Sequence, residues 1–280
     1  MQPIVVAVDF SNTSIHSIEY GIAMANKFKS SIVMVWVDKI VMQESLYPDT
    51  STQNRNEAIR RFDDILGQYK GMMNKGLTLE YKLRKGKVFH EIDTLAKNIK
   101  AMMIIAGAHG ISGFEEYWIG SNAFKIVTYA SLPVITLRHD YVIKKNIGKI
   151  LVPIDNSNET LQKLPFVVKL AKLYGSEVII VTTHSSTLKS IQRISEKYAV
   201  HATQYLLKNE VKYSTDSITS NDITKSVITY ASDIKADLIA IMTEQETPMN
   251  ILMGPHAQEL INQSQTPILS VHPQEHFCLS

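Results

Sequence analysis

The segment from residue 107 to 122 reads GAHGISGFEEYWIGSN. Its glycines at 107 and 110 allow positive φ and let a bound group approach the backbone closely. A helix beginning near Gly120 would add unpaired N–H groups and the positive end of a helix dipole, with the Ser121 hydroxyl beside them. Together these parts suit the phosphates of a bound nucleotide. A lone Gly-x-x-Gly is more often a simple turn. Here Gly107-x-x-Gly110 is followed by nine residues and then Gly120-Ser121, between a buried apolar run and a helical pattern.

Those glycines need a scaffold, and the chain supplies it twice. Ile4–Asp9 is matched by Ile150–Asp155, each an apolar run ending in Asp and followed by Ser and Asn. Ser31–Val37 is matched by Glu177–Thr183, Met102–Ala106 by Asp237–Ile241, and Leu132–Leu137 by Thr266–Val271, in the same order. The period is far too long for a solenoid. Continuous Val- and Ile-rich runs suit strands buried on both faces. Helical patterns lie between them at 14–28, 56–69, 160–174 and 188–207. Alternating strands and helices predict an α/β fold of two tandem domains, 1–140 and 147–275, with a polar, basic linker from Arg138 to Gly148. Each domain is expected to hold five parallel strands and about four helices. With strand order 3-2-1-4-5, Asp9 and Gly107 would line the crevice where strand order reverses. The first half carries an extra polar stretch from Asp38 to Arg55 containing Pro48, expected as a loop near that crevice, either a tolerated insertion or a lid.

The spacing Gly107-x-x-Gly110-x9-Gly120-Ser121, the Asp-ended first strand and the closing Leu132-Pro-Val-Ile resemble the universal stress protein family, over essentially the whole chain as two copies. The resemblance implies flavodoxin-like domains of the adenine nucleotide alpha hydrolase type that bind ATP, or AMP or ADP in its place. It implies that Asp9, with backbone near Trp36 and Val37, meets the adenine side. It implies that Gly107, Ala108, His109, Gly110, Gly120, Ser121 and Asn122 hold ribose and phosphates. Mg2+ or Mn2+ would ride on the phosphates, since no carboxylate cluster offers a cage; Glu115 and Glu116 are expected to be solvated. The family also implies pairing of the two domains through their last strands as an intramolecular pseudo-dimer, with a homodimer as a further step.

The second copy departs from the motif. Gly107 becomes Met242, Gly110 becomes Gln245, the loop is one residue shorter, and Gly254 is followed by Pro255 in place of Ser121. Side chains at 242 and 245 would crowd a phosphate, and Pro255 removes an N–H donor. Nucleotide is therefore expected in the first domain only. The expected role is a nucleotide-dependent regulator or sensor of the stress response with an unknown protein partner. The alternatives are a nucleotide-independent scaffold and a slow ATPase or nucleotide hydrolase using His109 or a loop carboxylate, with no partner placed for His109.

The net charge of +2 is too weak a bias to argue for nucleic acid and no basic cluster stands out, so no nucleic-acid partner is expected. No long apolar run predicts a membrane span. The single Cys278 forbids an internal disulfide and suits a reducing, cytoplasmic setting. His272, His276 and Cys278 could ligate zinc but lack an evident fourth ligand, so no metal site is expected. His184 and His201 are further candidates for a second-domain site that the sequence cannot bring together.

Overall fold

In the computed structural model the described residues are 2–39, 48–108, 120–184, 188–243, 254–274 and 279. The chain divides into two compact units, Met1–Ile143 and Lys144–Ser280.

The N-terminal unit runs β1 (Ile4–Ala7), α1 (Asn12–Phe28), β2 (Ile32–Lys39), α2 (Pro48–Tyr69), a 3-10 turn at Lys70–Met72, β3 (Leu79–Gly86), α3 (Val88–Asn98), β4 (Met103–Gly107), α4 (Ser121–Tyr129) and β5 (Val134–Leu137). Its strands lie in the order β3-β2-β1-β4-β5, every neighbouring pair parallel. The C-terminal unit runs β6 (Lys149–Ile154), α5 (Leu164–Tyr174), β7 (Glu177–His184), α6 (Lys189–Lys208), β8 (Tyr213–Thr219), α7 (Ile223–Asp233), β9 (Leu238–Met242), α8 (Pro255–Gln263) and β10 (Ile268–Val271). Its order is β8-β7-β6-β9-β10, again all parallel. The fold is therefore the expected one, two flavodoxin-like units.

The central strands carry each core. Ile4, Val5, Ile104 and Ile105 are fully buried, as are Leu151, Val152, Leu238 and Ile239 in the second unit. Such strands need helices on both faces. α1 buries Ile18, Ile22 and Ala25 at helical spacing and lies over β1 and β4, while α3 and α4 pack together. Ser11 caps α1, accepting from the Ser14 N–H at 3.2 Å, and Lys29 closes it in a left-handed conformation at φ 54°. Gly175 takes that same place after α5, with φ 68°.

Two expectations are corrected. The Asp38–Arg55 stretch is not a loop throughout: β2 runs to Lys39, and α2 begins at Pro48, where proline's fixed φ suits the first helical position. Residues 40–47 lie outside the described set. The helix expected from Thr160 starts only at Leu164. Pro165 explains this, because its ring would clash with the carbonyl one turn earlier and it has no N–H to give. Residues 158–163 instead form tight turns, with N–H bonds from Thr160 to Ser157 O and from Gln162 to Glu159 O.

Candidate functional site

At the carboxyl end of β1 the chain turns sharply into α1. The Asp9 carboxylate accepts from the Ser11 N–H at 3.0 Å and the Ser11 hydroxyl at 2.6 Å, and the Asp9 N–H donates to the Ser14 hydroxyl at 3.3 Å. This fixes the carboxylate at the crest of the sheet. Between Asp9 and Ser11, Phe10 sits in the left-handed region at φ 64°. A bulky residue there costs roughly 1–2 kcal/mol, and surrounding packing must hold it. The Phe10 ring meets Phe62 edge-on at 4.9 Å, lies 6.4 Å from Trp36 and carries the Arg61 guanidinium 5.4 Å above it. Phe10 was not singled out by sequence; no pattern distinguishes a left-handed phenylalanine from a core one.

β1 and β2 stay joined as far as the bond from the Val8 N–H to the Val35 carbonyl at 2.9 Å. Beyond it β1 has ended and β2 continues, so Trp36 and Val37 have β3 on one side and no β1 neighbour on the other. Among the described residues no strand pairs with that side of Trp36 and Val37, and the half-buried rings of Phe10 and Trp36 lie close by.

On the other side of β1, Gly107 ends β4, paired with Leu137. It is not in a left-handed conformation, contrary to the expectation of a positive φ. Its need for glycine is steric: a Cβ there would lie 2.7 Å from Thr13 Cγ2 and 3.2 Å from the Thr13 carbonyl carbon. Ala108 donates to Leu137 O at 2.9 Å, and its own carbonyl accepts from the Gly120 N–H at 2.8 Å. That last bond ties the start of α4 to the exit of β4. Gly120 flanks α4 with φ −57° and ψ 140°, and among the described residues no side chain caps the helix. Ser121 is exposed and Asn122 half-buried.

Asp9, Trp36, Val37, Gly107, Ala108, Gly120, Ser121 and Asn122 therefore all sit at the carboxyl ends of β1, β2 and β4 or at the adjoining start of α4. His109, Gly110, Glu115 and Glu116 lie outside the described residues. So do His276 and Cys278, while His272 Nδ1 is 2.9 Å from the Thr243 hydroxyl. His184 is buried at the end of β7 against Ser195, and His201 is exposed on α6. Among the described residues no group of three or more His, Cys, Asp or Glu side chains could hold a metal ion, and no helix is long and apolar enough to cross a membrane.

A parallel sheet in 3-2-1-4-5 order with helices between its strands defines a flavodoxin-like α/β class. Within that class the sequence model of the universal stress protein family matches residues 1–138 and again 146–272, and the chain belongs to that family. A curated relative, universal stress protein YxiE of Bacillus subtilis, is 29% identical over 142 residues, which is 48% of this chain and 96% of YxiE. Among solved structures, a universal stress protein from Archaeoglobus fulgidus superposes with a TM-score of 0.76 at 17% identity, covering 96% of this chain and 98% of its own. Another, a universal stress protein in complex with cAMP, covers 46% of this chain and 99% of its own, at 19% identity and a TM-score of 0.36.

Proposed function

We propose that the N-terminal unit binds an adenine nucleotide, ATP foremost, and that the protein acts as a nucleotide-dependent regulator in the stress response. The observation that carries this reading is the bond from the Gly120 N–H to Ala108 O, which brings the uncapped start of α4 to the exit of β4, beside the strand ending in Asp9. An anion at that helix start would find the N–H groups of Ser121 and Asn122 and the Ser121 hydroxyl. The adenine ring would lie toward the free edge of Trp36 and Val37, with Phe10 beside it. A divalent cation would be carried by the phosphates.

In the C-terminal unit the corresponding positions are Met242 and Pro255. The register supports this equivalence, since Gly107 pairs with Leu137 and Met242 with Val271, the last residue of each final strand. Pro255 removes the first donor of α8, and the Met242 side chain stands where glycine is needed. Nucleotide is accordingly assigned to the N-terminal unit alone.

The test is to denature the purified protein, extract its small molecules and identify them by absorbance and mass, wild type beside Ser121→Pro. Proline is tolerated at a first helical position, so the variant keeps the helix and deletes one donor. An adenine nucleotide in the wild-type extract, depleted in the variant, supports the reading. Equal nucleotide in both extracts would refute it.

A further inference from the structure

The C-terminal unit has its own chemistry at the same crest. Asp155 repeats Asp9: its carboxylate accepts from the Ser157 N–H at 2.9 Å and the Ser157 hydroxyl at 2.6 Å, and its N–H donates to the Thr160 hydroxyl at 3.2 Å. Three residues after Ser14 the N-terminal unit has Ser17, fully buried, donating to Thr13 O. Three residues after Thr160 the C-terminal unit has Lys163, only 2% exposed. The Lys163 ammonium donates to Thr160 O at 2.6 Å and Thr160 Oγ1 at 3.2 Å. An ammonium has three donors, so one N–H is left without an acceptor among the described residues. The turns at 158–163, opened by Pro165, swing this side chain into the crevice.

A cavity of about 310 Å3 lies beside it. Its polar wall includes Asp155, Lys163, Thr183, Thr224 and His256, with Thr224 Oγ1 3.1 Å from His256 Nδ1. Its apolar wall includes Val227, Ile241 and Leu260. The second residue of α7 is Thr224, where α3 has Phe89, a ring stacked on Tyr129 at 4.6 Å. The volume lies at the lower end of the roughly 300–1,000 Å3 of small-molecule pockets. The Asp155 charge lies beside the Lys163 ammonium, whose remaining donor can meet a carboxylate oxygen, and the apolar wall favours a compact hydrocarbon body.

We infer that this cavity binds a small organic monocarboxylate, its carboxylate on Lys163 and its body against Val227, Ile241 and Leu260. The two units would then sense different ligands, and this site would work independently of nucleotide in the first.

The test is a 19F NMR titration of 4-fluorobenzoate and trifluoroacetate into the full-length protein, with 4-fluorobenzyl alcohol as the neutral control. A saturable one-per-chain shift with 4-fluorobenzoate is expected, weakened about tenfold or more in Lys163→Met. Binding should disappear in Thr224→Phe, which puts a bulky ring on a residue that lines the cavity. It should also survive saturating Mg·ATP, and the alcohol should bind at least about tenfold more weakly. The inference is overturned if neither carboxylate gives a saturable shift, if Thr224→Phe binds as well as wild type, or if the alcohol binds as well as the acid. Displacement by ATP would likewise overturn it. Thr224→Phe keeps the test decisive should Lys163→Met fail to fold.

Discussion

A Cβ built on Gly107 would stand 2.7 Å from Cγ2 of Thr13, so the last residue of β4 and the first turn of α1 are in contact that only glycine permits. The carbonyl carbon of Thr13 at 3.2 Å means that rotating a side chain does not relieve the clash. In the C-terminal unit Met242 holds this place, and the turns at 158–163 that precede Pro165 stand where α1 has its first helical turn. The glycine thus acts first on the scaffold, by letting α1 reach Asp9 in regular form.

Gly107→Ala should therefore destabilise the protein by about 1–3 kcal/mol, as overpacking does. Urea unfolding would read this as a lower midpoint at unchanged slope. An unchanged midpoint would mean α1 shifts freely, and the glycine would need another explanation.

Phe10 sets two effects against each other. Asparagine, which the C-terminal unit carries at position 156, tolerates a left-handed backbone, so Phe10→Asn relieves roughly 1–2 kcal/mol of strain. It also gives up a half-buried ring, worth somewhat less than the ~1.5–3 kcal/mol of full burial. Stability should change by less than about 1 kcal/mol in a thermal melt, while ATP affinity, measured calorimetrically, falls several-fold through loss of the aromatic neighbour. Full ATP affinity in this variant would remove Phe10 from the site.

Much of this was legible in the sequence because the central strands are near-continuous apolar runs. The edge strands were not. β3 reads LEYKLRKG and β8 reads YSTDSIT, mostly half-buried or exposed, so tertiary pairing rather than pattern makes them strands. The site was legible where it rests on glycine spacing and an Asp at a strand end. It was not legible at Phe10, whose conformation is imposed by packing, nor at Lys163. A lysine in a polar stretch reads as solvated until the Pro165 break turns it inward.

Lys163 also gives a pH signature. Burial pushes its ammonium down to about 8, with the Asp155 charge opposing the shift. For Asp155 burial acts upward, but the Lys163 charge and the Ser157 and Thr160 bonds outweigh it and hold the carboxyl below its usual range. An unfolded lysine titrates near 10.4. Below pH 8 both states hold the proton, and between about 8 and 10.4 only the unfolded state does, so this group makes stability rise with pH across that window. The gain is on the order of 3 kcal/mol. Subtracting the Lys163→Met profile from wild type cancels the distant tyrosines Tyr69 and Tyr230, both pushed up to about 12, chiefly by burial. The difference in urea midpoint should grow from pH 8 to 10, and a flat difference would argue against a buried ammonium.

The most direct measurement is a calorimetric titration of Mg·ATP into nucleotide-free protein, wild type beside Ser121→Pro. The account predicts one ATP per chain, with affinity lowered about tenfold or more when the α4 donor is deleted. Two nucleotides per chain, or binding indifferent to Ser121→Pro, would contradict a single site at the start of α4.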